Sequence, residues 1–204
     1  MKLNLGCGNQ VVEGWVNVDY ALGARFAKIP FFKIINKKLK IFNVDWDEKI
    51  YIHDLNKTFP WQNDSVDVIY SSHTLEHLTR EKGRIFINEC FRVLKKNGVI
   101  RIIVPDLRYI IQQYLDKQII AEQFLEKLYV VQAQKNNKVK NYISRFWGAP
   151  HKCMYDSESL LQILNAAGFS TTCKLPFESK IEDIYSIELE GNTQGAVLVE
   201  GIKL

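Results

Sequence analysis

No stretch of about 18 uncharged apolar residues occurs in the sequence, so no membrane-spanning helix is expected. The start also lacks the apolar core and small-residue cleavage site of a secretory signal, because Met1-Lys2-Leu3-Asn4-Leu5-Gly6 runs straight into a core-strand pattern. Cysteine is sparse and never closely spaced. Cys7, Cys90, Cys153 and Cys173 read as reduced thiols, which excludes a disulfide framework and a cysteine zinc site and points to a cytoplasmic location. Positive charge is too scarce to make nucleic acid the main partner, since the net charge is only +4. Much of that charge lies in Arg25–Lys40, which has six basic residues and no acidic one. The remaining composition, 47% hydrophobic and 25% charged over 204 residues, suits one globular domain with one good core.

Apolar runs alternate with longer helical patterns, which predicts βαβ units around a parallel sheet. Strands are expected at Lys2–Leu5, Trp15–Val18, Ile50–His53, Val66–Ser71 and Val99–Val104. A last strand at Gly195–Lys203 is expected to pair with Tyr185–Glu190. Helical spacing marks Ile85–Leu94 and Ser159–Ala167, the latter capped by Asp156 or Ser157 and ended by Gly168. Residues 106–142 read as mainly helical. The expected fold class is α/β: a Rossmann-like, doubly wound, mostly parallel sheet with an antiparallel last strand. A shortened first crossover helix and a helical insertion after the fifth strand complete it.

Chemistry concentrates at strand ends. Leu3-Asn4-Leu5-Gly6-Cys7-Gly8 is a strand running into a glycine turn, where backbone can approach a ligand that a Cβ would exclude. The second strand ends at Asp19, placed to accept from both hydroxyls of a ribose. Together these favour an adenosine-containing ligand. A dinucleotide also needs a helix amino terminus for its pyrophosphate. Asn9–Gly14 is too short to hold that helix, and Val11 replaces the third glycine of Gly-x-Gly-x-x-Gly. A nicotinamide oxidoreductase is therefore disfavoured, and S-adenosylmethionine, which carries no phosphate, fits.

At this point the chain resembles the class I methyltransferases, especially their bacterial type 11 group. The resemblance rests on Leu3–Gly8, Gly14–Asp19, His53-Asp54-Leu55, Phe59–Leu78 and Glu89–Asp106, with a weaker match from His151 to Phe169. It implies S-adenosylmethionine as cofactor and a role for each station. Gly6, Cys7 and Gly8 would pass the methionine part, Asp19 would hold the ribose, and Asp54 with the Leu55 amide would read the adenine. Ser71 and Ser72 would lie near the sulfonium and the amino group. Residues 1–204 then form one methyltransferase domain, with 21–49 an insertion and 106–150 a segment over the acceptor.

Two readings meet at His73-Thr74-Leu75-Glu76-His77. His-x-x-Glu-His matches an inverted zincin motif, but it follows a buried strand directly and no third ligand is evident. Some methyltransferases place a Glu-x-x-Glu-His metal site here, and His73 stands where they have the first glutamate. Two or three candidate ligands do not complete a site, so Glu76-His77 is read as a structural pair and no metal is expected. His73, His151 and Tyr155 are the candidates for catalysis, a neutral histidine suiting deprotonation of a hydroxyl near pH 7. Trp147 and Phe146 are candidates to stack on an acceptor. The expected acceptor is a hydroxyl of a small molecule, glycan or glycolipid. A metal-assisted O-methyltransferase of an aromatic or lipid acceptor stays open, as does a non-catalytic binding module. Arg25–Lys40 is either an amphipathic cover for the core, interrupted by Pro30, or a surface for anionic lipid.

Overall fold

The computed structural model describes residues 1–39, 45–130 and 150–204. Seven strands form one sheet: β1 (Lys2–Leu5), β2 (Val16–Asp19), β3 (Tyr51–Ile52), β4 (Val66–Ser72), β5 (Leu94–Pro105), β6 (Phe169–Cys173) and β7 (Ala196–Lys203). Their spatial order is β3-β2-β1-β4-β5-β7-β6. The first five run parallel, while β7 is antiparallel to both β5 and β6. The described helices are α1 (Leu22–Ala27), α2 (Phe32–Leu39), α3 (Arg80–Val93), α4 (Leu107–Leu115), α5 (Ala121–Leu128), α6 (Ser157–Ala166), α7 (Ile184–Ile187) and α8 (Glu190–Thr193). None of them is long and apolar enough to cross a membrane.

Periodicity explains the crossover between β4 and β5. Gly83, Phe86, Ile87, Cys90 and Val93 recur on one stripe of α3 and are buried. They join Leu3, Leu5, Ile69 and Ile102 from the sheet and Leu160 and Leu164 from α6 in one cluster. The α6 cap is as expected, with Asp156 accepting from the Ser159 amide.

Three elements differ from the sequence expectation. Tyr185–Glu190 is not a strand: Ile184 and Ile187 are both buried, the three-residue spacing of a helix turn. The strand beside β7 is β6, where Phe-Ser-Thr-Thr-Cys lies at the sheet edge and only Phe169 is buried. Strand β5 begins at Leu94, before the expected Val99. Val66 pairs with Leu94 and Val68 with Val99, so residues 95–98 bulge out between two paired positions.

The first crossover is shortened to the point of containing no helix. Two buried asparagines hold it instead. Asn17 accepts from the Val12 amide at 3.0 Å and donates to the Val12 and Trp15 carbonyls, and Asn4 donates to Asn17 and to the Gln10 carbonyl. A primary amide is both donor and acceptor, so it can satisfy a loop backbone that no helix pairs. Val12 and Trp15 thereby pack beside Tyr70 and Ile103 on the second face of the sheet.

Residues 21–39 fold as two short helices separated at Pro30, with Phe31 at φ 65°. Ile29, Phe31 and Ile34 face outward, Phe31 being 75% exposed. On β5, between β4 and β7, Arg101 is fully buried. Its five N–H groups reach Glu188, Glu200 and the carbonyls of Leu175 and Glu178.

Candidate active site

Strand β1 ends where its chain crosses the end of β2. The amides of Gly6 and Cys7 both donate to the Val18 carbonyl, at 2.9 and 3.0 Å. Gly6 sits at φ 74°, and a Cβ there would stand 2.0 Å from Thr74 Oγ1. That crowding comes from the chain itself. Gly6→Ala combines a left-handed backbone with a collision, and a loss of about 2–5 kcal/mol is expected in urea titrations. Adding Thr74→Gly should recover the part due to collision, and equal stability of Gly6→Ala and the parent would contradict this packing.

Gly8 is different. It lies at φ 56°, and a Cβ there would meet nothing within 4 Å, so its upper side is open. Its amide donates to Asp19 Oδ2 at 2.8 Å, while Asp19 Oδ1 accepts from the Ala21 amide at 2.6 Å. Burial raises the Asp19 pKa, with the amides of Ala21, Gly8 and Tyr20 opposing that shift. The acid at the end of β2 is thus tied to the glycine turn. The Cys7 side chain is buried beside Ala24 and Ile50, and burial raises its thiol pKa. Only its backbone faces the turn's open side.

The His53 amide donates to the Asp19 carbonyl at 3.3 Å and sets the third station beside the second. Asp54 Oδ1 accepts from both the amide and the side chain of Asn56, closing a local turn and leaving Oδ2. Burial raises the Asp54 pKa, but the Asn56 hydrogen bonds and the charges of Lys57 and His53 outweigh it and the pKa falls. Leu55 sends its side chain into the main core.

At the end of β4 the two serines separate. Ser71 is buried and donates to the Leu5 carbonyl at 2.9 Å, so its hydroxyl is spent between strands and does not face the donor edge. Ser72 points to the other face, where its hydroxyl is buried beside that of Tyr70.

His73 adopts φ 50°, held by its amide on the Ile103 carbonyl at 2.9 Å. Its Nε2 lies 2.9 Å from the Asn192 carbonyl and its Nδ1 lies 3.2 Å from Glu76 Oε1. A backbone carbonyl and a carboxylate therefore flank the ring on its two nitrogen sides. Burial lowers the His73 pKa, yet the Glu76 hydrogen bond, the Asn192 carbonyl and the Glu76 charge raise it further, leaving it above its ordinary value. Both ring nitrogens of His73 are thus turned toward protein acceptors, Asn192 and Glu76.

The fold places Tyr155 in the core. It is 7% exposed in the main core, its hydroxyl lies beside Gly83 of α3, and its backbone pairs with Asp106. His151 does approach the β4 loop. Its amide donates to Tyr129, and its ring meets His77 edge-on with centroids 5.1 Å apart. The next two amides, of Lys152 and Cys153, both donate to the Glu76 carbonyl. Burial lowers the His151 pKa, partly offset by the charge of Glu76. Glu76 is thus the carboxylate at which His73, His77 and His151 meet. Its spacing from His73 and His77 is visible in sequence, but His151 arrives only through folding. Trp147 and Phe146 lie outside the described residues.

The family model described as "Methyltransferase domain" matches residues 3–102, from β1 into β5. No curated protein sequence matches significantly. Among solved structures, the PH0226 protein of Pyrococcus horikoshii OT3 has TM-score 0.55 and 15% identity, over 100% of this chain and 81% of that one. A SAM-dependent methyltransferase of Archaeoglobus fulgidus has TM-score 0.51 and 16% identity, over 99% of this chain and 85% of that one. At such identities the likeness is one of fold. The domain match, read over this strand order, identifies the chain as a member of the class I S-adenosylmethionine-dependent methyltransferases, in the type 11-like group.

Proposed function

We propose that the chain methylates a hydroxyl of a small molecule, glycan or glycolipid. The observation that carries the donor half is the open side of Gly8 beside an Asp19 already tied to the turn. The methionine part then passes over Gly6 and Gly8. Asp19 takes the ribose with its remaining lone pairs, and Asp54 Oδ2 with the Leu55 amide reads the adenine. Ser72 ends β4 with its hydroxyl enclosed beside Tyr70, while Ser71 fixes β1 against β4.

The donor supplies an activated methyl that leaves its sulfur as an acceptor oxygen attacks in line, with the hydroxyl proton lost to a base or water. The protein's task is alignment, an effect worth roughly 7–11 kcal/mol when two reactants are held in register. The acceptor half of the proposal is supported by α4 and α5. Tyr109, Tyr114 and Tyr129 are each more than 40% exposed there, with Leu115 and Ile120 at 64%. Neutral Gln112 and Gln113 lie between them. Phenol rings and amides suit sugar faces and hydroxyls, and exposed aliphatic side chains suit a lipid tail. The outward Ile29, Phe31 and Ile34 of the basic segment add peripheral contact with an anionic membrane.

The test is transfer of labelled methyl to soluble sugars and to glycolipids in vesicles containing phosphatidylglycerol. The double variant Phe31→Ser, Ile34→Ser is expected to lose at least about tenfold on the vesicle substrate and to keep its rate on soluble acceptors. Transfer confined to protein amines or nucleic acid would overturn the acceptor class.

A further inference from the structure

Among the described residues, one polar cluster is not accounted for by donor binding. Glu76 is fully buried, with His73 Nδ1 facing Oε1 at 3.2 Å and no hydrogen-bond partner on Oε2. Its nearest cation is His73, which faces Oε1 only. Nδ1 of His77 and Nδ1 of His151 are likewise buried without partners. A buried carboxylate with an unpaired oxygen is costly unless a cation meets it. Three ligand atoms, one each from Glu76, His77 and His151, lie within 4.8 Å of one another.

We infer that Glu76, His77 and His151 form a binding site for one first-row divalent cation of the Zn²⁺ type. Two imidazoles and a carboxylate are a borderline donor set, whereas Mg²⁺ and Ca²⁺ prefer oxygen alone. Ligands about 2.0–2.2 Å from a tetrahedral ion stand roughly 3.4 Å apart, so closing the observed set needs small side-chain rotations. The frame for such closure is already present. The His151 loop is docked on the Glu76 carbonyl through two main-chain hydrogen bonds, of 2.8 and 3.1 Å, that need no ion. The Tyr129 ring packs against His151, with centroids 5.3 Å apart. A backbone hydrogen bond at Leu128 engages His151 as well. Imidazole ligands are commonly held this way through the nitrogen that does not bind the ion. Three protein ligands leave positions for an acceptor oxygen, whose proton the ion would acidify. The expectation of no metal rested on the lack of a third ligand, and His151 supplies one.

The site is tested on the purified chain without donor or acceptor, so its outcome is independent of the acceptor proposal. After chelation, equilibrium dialysis with Zn²⁺ is expected to give one ion per chain. Co²⁺ should give the visible absorption of a low-coordinate nitrogen–oxygen site. His151→Ala is expected to weaken Zn²⁺ by at least about tenfold and to abolish any rise in Tm with added Zn²⁺. Glu76→Gln keeps the shape of the buried side chain and should show the same loss, which decides the matter if His151→Ala folds poorly. Absence of stoichiometric Zn²⁺ and Co²⁺ binding, unchanged binding in both variants, or preference for Mg²⁺ over Zn²⁺ would each overturn the assignment.

Discussion

Asp19→Ala is expected to weaken S-adenosylmethionine and S-adenosylhomocysteine by about 10²–10⁴-fold. Hydrogen bonds to a charged group contribute roughly 1.5–3 kcal/mol each, and two ribose hydroxyls depend on this carboxylate. The same side chain also holds the Gly8 and Ala21 amides at 2.8 and 2.6 Å, so the variant loosens the turn over which the donor passes. Asp19→Asn separates the two duties, because an amide oxygen can keep one backbone bond while its charge is gone. Its effect on donor affinity should fall between parent and alanine. Stability should move differently. Burial raises the Asp19 pKa, so the folded state holds this proton more tightly than the unfolded chain. Ionisation therefore disfavours the fold as pH rises from the ordinary aspartate value through the raised one, and the penalty persists at neutral pH. Asp19→Asn, never ionised, is expected to lose affinity with little loss of Tm, or with a gain. Calorimetry with S-adenosylhomocysteine and thermal melts at neutral pH check both. Unchanged affinity in Asp19→Ala would remove the ribose assignment.

What could be read from the sequence was what repeats locally. The five parallel strands and α3 follow from apolar runs and the three-to-four spacing of Phe86, Ile87, Cys90 and Val93. The glycine turn and Asp19 were legible because backbone geometry demands glycine at φ 74° and 56°. What could not be read depends on partners far along the chain. Ser71 and Ser72 are neighbours in sequence, yet the pleat sends one to the Leu5 carbonyl and the other to the opposite face. Tyr155 read as a catalytic candidate beside a loop histidine, and its place in the core against α3 depends on contacts distant in sequence. The Asn192 carbonyl that meets His73 Nε2 is brought in by α8, over a hundred residues along the chain. Edge strand β6 was missed because only Phe169 carries a burial signal, whereas Ile184 and Ile187 mimic a strand until their spacing is weighed.

Arg101→Met is expected to cost about 3–5 kcal/mol, the usual result of removing one partner from a buried ionic group. For a chain of this length that is a fall in Tm of about 6–20 °C. The arginine is fully buried on β5, directly across from Glu200 on β7. Its Nε and Nη2 grip Glu188 at 2.5 and 2.9 Å, and Nη1 reaches Glu200 at 3.1 Å. Without it, two glutamates stay buried with only the amides of Phe177 and Lys180 and the Ser179 hydroxyl for company. The loss should then be largely repaired in Arg101→Met, Glu188→Gln, Glu200→Gln, because neutral amides keep those backbone donors and no charge is stranded. The network also bears on the site. Glu188 ends α7, and α8 follows at once with the Asn192 carbonyl that holds His73 Nε2. Arg101→Met should therefore raise amide exchange across 175–193 more than in α3 or β4, and it should shift the His73 ring signal. The triple variant should restore both. Uniform exchange throughout the chain, or a triple variant no more stable than Arg101→Met, would show that the arginine acts by filling space and not by holding its two glutamates.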